Sequence, residues 1–267
     1  GMMANTHKGV KTFAEYFAGI GLMRLGLEEA GWSIRYANDI DADKREMYRH
    51  HFKDADKHFV LDDIHNLAAA EIPESHLATA SFPCNDLSLA GMRSGLCGRQ
   101  SSAFWGFIKI LKQMGERRPP IVLLENVAGF LTSHGGEDIR VALDALNQLG
   151  YGVDVLILDA ERFVPQSRVR LFVVGSRVEP QDGLVIAEPT SFYESAVRPK
   201  AVAKFIFDHP EIDWRLRKLP NPPQRTQTLA DVVQNLPDES DFWWSEERVN
   251  YLTSQMSSKH SAILNAM

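Results

Sequence analysis

From about Lys11 to Arg177, short apolar runs alternate with amphipathic stretches. Lys11 to Phe17 reads as a strand, followed by a turn carrying Gly19 and Gly21. A helix follows from Leu22 to Ala30, with Leu22, Leu25 and Leu27 apolar. Trp32 to Ala37 is a second strand and Asp41 to His51 a helix. Leu77 to Phe82 and Ile121 to Leu124 are brief apolar runs between turn signals, the pattern of strands buried on both faces. Ala103 to Met114 is helical between them. Ile139 to Leu149 is a further helix, stopping near Gly150, before the strands Val153–Leu158 and Leu171–Gly175. This alternation predicts parallel βαβ units in an α/β, doubly wound sheet. The last two runs are too close in sequence for a helical crossover, so they form an antiparallel hairpin at one end of the sheet. Beyond Arg177 the periodicity breaks at Pro180, Pro189, Pro199, Pro210, Pro220, Pro222, Pro223 and Pro237. This places a boundary near residue 178, between a domain over 1–178 and an irregular second region over 179–267, with one helical stretch near Ser245–Met256.

Composition narrows the class. The 267 residues carry 29 basic and 35 acidic side chains, a formal net charge of −6. That excludes a polybasic nucleic-acid coat but leaves room for a local basic groove. Cys84 and Cys97 are too few for a disulfide framework or a four-cysteine zinc site, and no metal is expected. There is no apolar run near the ~18 residues of a membrane span and no signal-peptide core, so the expectation is a soluble, cytoplasmic protein with no membrane partner. The opening Gly1-Met2-Met3 reads as a glycine left by tag cleavage before a native methionine.

Phe17-Ala18-Gly19-Ile20-Gly21 ends the first strand and opens a helix. In an open α/β sheet that crevice binds ligands, the glycines permitting close backbone approach. The dinucleotide fingerprint requires a third glycine where Arg24 stands, which argues against a pyrophosphate and hence against a nicotinamide dehydrogenase. Asp39 is placed to take ribose hydroxyls, and Asp63-Ile64 to hold an adenine amino group and pack on its face. Each aspartate alone reads equally well as a turn or N-cap residue. A nucleoside without a diphosphate fits the set, namely S-adenosylmethionine.

Ser81-Phe82-Pro83-Cys84-Asn85 follows the fourth strand, at the carboxyl edge of the sheet. A free cysteine is ordinarily a small buried hydrophobe. Here Pro83 and the polar residues after it put the thiol on a loop. Leu123-Leu124-Glu125-Asn126-Val127 sets a carboxylate at the tip of an apolar strand, costly without partners. Gln166-Ser167-Arg168-Val169-Arg170 precedes the last strand, and alternation sends both arginines to one side. A helix cap and a solvated charge pair are the bland alternatives for Glu125 and the arginines.

Taken in order, Phe17-Ala18-Gly19-Ile20-Gly21, Pro83-Cys84, Glu125-Asn126-Val127 and Gln166-x-Arg168-x-Arg170 resemble the motifs of DNA cytosine-5 methyltransferases, over residues 11 to about 177. The resemblance implies a Rossmann-like S-adenosylmethionine-dependent methyltransferase sheet, mostly parallel with one antiparallel strand at the end, and then the start of a small target-recognition domain. It implies a restriction-modification or phage-type enzyme acting on double-stranded DNA. Cys84 would attack carbon 6 of a flipped-out cytosine, Glu125 would donate a proton to ring N3, and Arg168 would hold O2. Arg170 would orient Glu125 or meet phosphate. The cofactor site would comprise Phe17, Ala18, Gly19, Ile20, Gly21, Asp39, Ile40, Asp63, Ile64 and Pro83. Residues 85 to about 100 would be the loop that closes over DNA, with Arg93 and Arg99 meeting phosphates. Trp214, Trp243, Trp244, Arg215 and Arg217 are candidates either for DNA contact or for the core of the second region.

The sequence departs from the family at Asn85, where glutamine is usual, and at Asp39, where glutamate is common. The family's late arginine-rich segment and terminal Gln-x-Gly-Asn helix are not found. The expectation is therefore a shortened chain, or one polypeptide of a two-chain enzyme that is inactive alone. A tRNA cytosine methyltransferase is the neighbouring alternative. A non-catalytic DNA-binding subunit is the third, disfavoured by the joint presence of Cys84, Glu125 and Arg168.

Overall fold

The computed structural model describes residues 11–17, 22–82, 102–159, 169–177, 185–186 and 194–217. Among them the strands are β1 (Thr12–Tyr16), β2 (Ser33–Asp39), β3 (Phe59–Leu61), β4 (Leu77–Ser81), β5 (Ile121–Val127), β6 (Gly152–Asp159) and β7 (Val169–Ser176). They form one sheet in the order β3-β2-β1-β4-β5-β7-β6. The first five run parallel, and β7 runs antiparallel to both its neighbours. The α/β class, the mostly parallel sheet and the terminal hairpin are as the sequence pattern predicts.

Helices α1 (Leu22–Glu29), α2 (Ala42–His51) and the single turn α3 (Ala55–His58) link β1 to β3, α4 (Ala103–Met114) precedes β5, and α5 (Glu137–Gln148) precedes β6. Asp41 caps α2 by accepting from the Asp43 and Lys44 amides, and Arg49, His50 and His51 in the last turn complement its dipole. Ser102 caps α4, and Gly115 ends it at φ 59°.

Strand alternation divides the core. On β5, Ile121 and Leu123 join Phe13, Leu27 and Phe172 on the face covered by α1. Val122 and Leu124 join Phe107, Leu111 and Leu143 on the face covered by α4 and α5. Each apolar run thus feeds two cores, which is why it shows no polar alternation. β5 is longer than its apolar run because pairing with β7 continues through Asn126↔Leu171 and Val127↔Arg170. Glu125 therefore sits within the strand, with neighbours on both sides, instead of at its tip.

Beyond residue 178, helix α6 (Lys200–Asp208) and the strand pair β8 (Val185–Ile186) with β9 (Leu216–Arg217) are formed. Residues 194–217 pack along the β6 side of the sheet. Trp214 bridges to Val153 and is only 3% exposed, so of the two roles open to it the core is realised. Arg217 is likewise buried. Asp154, fully buried on β6, accepts from Arg198 Nε at 3.0 Å and from the Arg217 amide at 2.8 Å, while Arg198 Nη2 donates to the Arg217 carbonyl at 2.6 Å. Removing one member of such a buried pair strands the other charge in a low-dielectric core. We expect Asp154→Ala to lower the unfolding free energy by about 3–5 kcal/mol, read from urea denaturation followed by circular dichroism.

Candidate active site

The strand order turns back between β1 and β4, because the chain first winds outward through β2 and β3 and then returns beside β1. Crossovers leave on opposite faces at such a point and open a crevice at the carboxyl ends of the strands. Phe17, directly after β1, stands at this crevice in the left-handed region at φ 54°. A bulky residue adopts that conformation only where its surroundings hold it there. Its ring lies 5.8 Å from that of Phe82, the residue after β4, and Phe82 packs edge-on against Phe104 at 5.5 Å.

Two aspartates follow along the same edge. Asp39 ends β2, is buried, and accepts from the Asp41 amide at 3.0 Å, while its carbonyl accepts from the Asp62 amide. Ile40 beside it is 64% exposed, a large apolar side chain facing outward from the crevice rim. Asp63 accepts from the His65 amide at 2.9 Å and caps the short turn Ile64–Asn66. Capping is thus realised at Asp63, and it occupies one carboxylate oxygen. Ile64 is buried against the core beneath.

On the other side of β4, Ser81 pairs with Glu125 and the Phe82 amide donates to the Glu125 carbonyl at 3.2 Å. Because β7 is antiparallel, its first residues lie where β5 ends. Register sets Glu125 opposite Phe172 and Val127 opposite Arg170, so Glu125 and Arg170 are diagonal neighbours on one face. Arg170 Nε donates to Glu125 Oε1, in an ion pair whose side chains are 16% and 12% exposed. At that burial a charge-assisted contact fixes orientation more firmly than a surface pair would. On the opposite face of the sheet, the side of Leu124, lies a small apolar cleft lined by Phe82, Phe104, Leu124, Phe130 and Leu171.

Seven residues singled out from the sequence are therefore brought to one edge: Phe17, Asp39, Ile40, Asp63, Ile64, Glu125 and Arg170. Ala18, Gly19, Ile20, Gly21, Pro83, Cys84 and Arg168 lie outside the described residues, as do 85–100. β1 and β4 lead directly into the first two of these segments. Among the described residues no cluster of His, Cys, Asp and Glu could hold a metal ion, and no helix is long and apolar enough to cross a membrane.

Two charged residues under the crevice carry more structure than the sequence indicates. Arg24 folds inward, pairing with Glu28 at 2.7 Å and both Asp54 oxygens at 3.0 Å, donating to the Tyr48 hydroxyl and lying 4.0 Å over the Phe52 ring. It thereby locks α1 to α2 and α3. Glu15 points from β1 toward the start of α1, and its Oε2 has no hydrogen-bond partner. Burial raises the Glu15 carboxyl to about 8, against the opposing pull of the Arg24 charge and backbone amide.

Comparison with known proteins gives a consistent result. The chain matches the family model for C-5 cytosine-specific DNA methylases over residues 11–265, and it belongs to that family, a group of methyltransferases. It is 34% identical to the type II methyltransferase M.BsuFI of Bacillus subtilis, over 63% of this chain and 40% of that protein. It is 25% identical to the orphan methyltransferase M.SPRI of Bacillus phage SPR, over 90% of this chain and 54% of that one. The chain thus spans about half, or less, of the length of these relatives. In fold it is similar to the Entamoeba histolytica methyltransferase EhMeth, with a TM-score of 0.50 and 15% identity over 70% of this chain and 62% of that one.

The raised carboxyl of Glu15 has a definite sign in stability. The folded state keeps the proton up to about pH 8, whereas the unfolded chain releases it near the ordinary carboxyl value of 4.5. The contribution is fully present below about pH 4.5 and is lost as pH rises through 8. Glu15→Gln should flatten this fall, so that the variant gains stability relative to the parent between pH 5 and 8, measured by urea midpoints across that range.

Proposed function

We propose that this chain carries the catalytic region of a DNA cytosine-5 methyltransferase that uses S-adenosylmethionine and acts on double-stranded DNA. The observation that carries the reading is the Glu125–Arg170 pair at the carboxyl edge of the sheet, one strand from the end of β4, where the chain runs into Pro83-Cys84. A lone acid on a buried strand would be a cost. An acid held by a guanidinium, at the carboxyl edge of the sheet and one strand from the segment that carries Cys84, is suited to act on a ring nitrogen.

The residues present fit the cofactor. Phe17 offers a half-buried ring beside the crevice, Asp39 and Asp63 place carboxylates just after β2 and β3, and Ile40 supplies exposed apolar surface, with Ile64 packed into the core beneath Asp63. In this reading Asp39 takes the ribose hydroxyls, Asp63 the adenine amino group, and Ala18, Gly19, Ile20, Gly21 and Pro83 complete the pocket. S-adenosylmethionine, when bound, supplies an electrophilic methyl group for carbon 5.

Carbon 5 of cytosine is a weak nucleophile while the ring is aromatic. Cys84, as thiolate, forms a bond from sulfur to carbon 6, and the electron pair displaced from the ring makes carbon 5 nucleophilic. Glu125 supplies a proton at N3 to offset the negative charge, and Arg168 donates to O2 for the same purpose. Arg170 is a positioning residue, holding Oε1 of Glu125. After carbon 5 is substituted its proton leaves to a base, the sulfur–carbon 6 bond breaks, and N3 returns its proton. Residues 1–178 hold this chemistry. Residues beyond 178 begin the target-recognition part, while the stretch 194–217 braces the sheet.

The test is adduct trapping on duplex DNA carrying 5-fluorocytosine, with S-adenosylmethionine present. Fluorine does not leave as a proton, so the covalent complex survives denaturation. The parent chain should form it and Cys84→Ser should not; Glu125→Gln should form it ~10²–10⁴-fold more slowly. Complex formation by tRNA in place of DNA would overturn the substrate, and a complex retained in Cys84→Ser would overturn the mechanism.

A further inference from the structure

Helix α4 contains one glycine, Gly106, set between Phe104-Trp105 and Phe107-Ile108. Glycine costs a helix about 1 kcal/mol relative to alanine, so its place there calls for a packing reason. The structure supplies one. A Cβ built on Gly106 would collide with Cγ2 of Ile64, and would lie 3.2 Å from Nε2 and 3.3 Å from Cε1 of His65. The turn Ile64–Asn66 is therefore seated directly on the backbone of α4. His65 adds a second tie: its Nε2 donates to the Ser102 carbonyl at 3.2 Å, the same carbonyl that accepts from the Gly106 amide at 3.1 Å. Asp63 is joined to this contact from the other side, because its carboxylate caps the His65 amide.

We infer that Gly106 and His65 are positioning residues for the adenine end of the cofactor. They set the height of the Asp63–Ile64 turn above the sheet, and with it the reach of the Asp63 carboxylate and the plane of the Ile64 side chain. The inference rests on the reading that Asp63 and Ile64 hold adenine. Ile64 is 3% exposed and β-branched, so it has one favoured side-chain rotamer and little space in which to yield. Any bulk at position 106 is passed to the turn instead of being absorbed. Neither residue contacts the Glu125–Arg170 pair in this arrangement, so the effect falls on cofactor affinity and leaves the bond-making step alone.

The experiment is calorimetric titration of the whole chain with S-adenosylhomocysteine and, separately, with adenosine. Asp63→Ala serves as the control for the underlying reading and should weaken both ligands. Gly106→Ala should weaken both by at least tenfold and by the same factor, since the lost fit is at adenine. Ile64→Leu moves the branch away from the contact, so the double variant Gly106→Ala/Ile64→Leu should bind within about threefold of Ile64→Leu alone. His65→Ala removes the tie to Ser102 without adding volume and should weaken binding severalfold; it also serves if Gly106→Ala does not fold. Normal binding by Asp63→Ala would overturn the adenine reading and this inference with it. Weakened binding by Asp63→Ala with full affinity in folded Gly106→Ala and His65→Ala would overturn this inference alone. So would a Gly106→Ala defect that Ile64→Leu fails to relieve.

Discussion

The reversal of strand order between β1 and β4 is the constraint on which the rest of the site depends. Parallel strands must all end at one edge, and right-handed crossovers must leave toward opposite faces on either side of the reversal. A crevice is then unavoidable, and whatever follows β1 and β4 borders it. In this chain β1 is followed by Phe17 and the sequence Ala18-Gly19-Ile20-Gly21, and β4 by Phe82 and the sequence Pro83-Cys84. The aromatic contact between Phe17 and Phe82 lies at that crevice, between the side of Asp39 and Asp63 and the side of Glu125.

The two sides are built on different physics. Around Asp39 and Asp63 the carboxylates are partly spent on backbone amides, so the turns are rigid and their positions are set by packing beneath them. Around Glu125 the carboxylate is held by a second charge across the sheet, and its position is set by strand register. A shift of one residue between β5 and β7 would send Arg170 to the opposite face and dissolve the pair. Packing governs one half of the crevice and register the other.

Most of the architecture was legible in the alternation of apolar runs and amphipathic helices, and α4 was legible to the residue as Ala103–Met114. The run Ile121–Leu124 understated β5 because Glu125, Asn126 and Val127 carry no apolar signal; their place in the strand comes from pairing to β7, a non-local fact. The edge that gathers Phe17, Asp39, Asp63, Glu125 and Arg170 followed from strand ends and motif order. What sequence could not carry were the contacts made across long separations. Glu15 looks like any strand residue until α1 buries it. Arg24 reads only as a missing glycine, though it ties together three helices. Asp63 signalled a cap before Ile64, but the seat of that turn on α4 left only one sign, Gly106, a glycine in the middle of a strong helix.

The insertion of β7 between β5 and β6 has a consequence for how the molecule comes into being. Glu125 and Arg170 are 45 residues apart in sequence, and they meet only after β6 has been laid down and the chain has doubled back into the gap beside β5. During synthesis β1 to β3 can pair within the first ~80 residues, whereas the Asp63–Ile64 turn waits for α4, and Glu125 for a strand that arrives from the opposite direction. Until then Glu125 occupies an open sheet edge without its guanidinium. The carboxyl edge is thus finished in stages, and its buried ion pair is completed only by the last strand to enter the sheet.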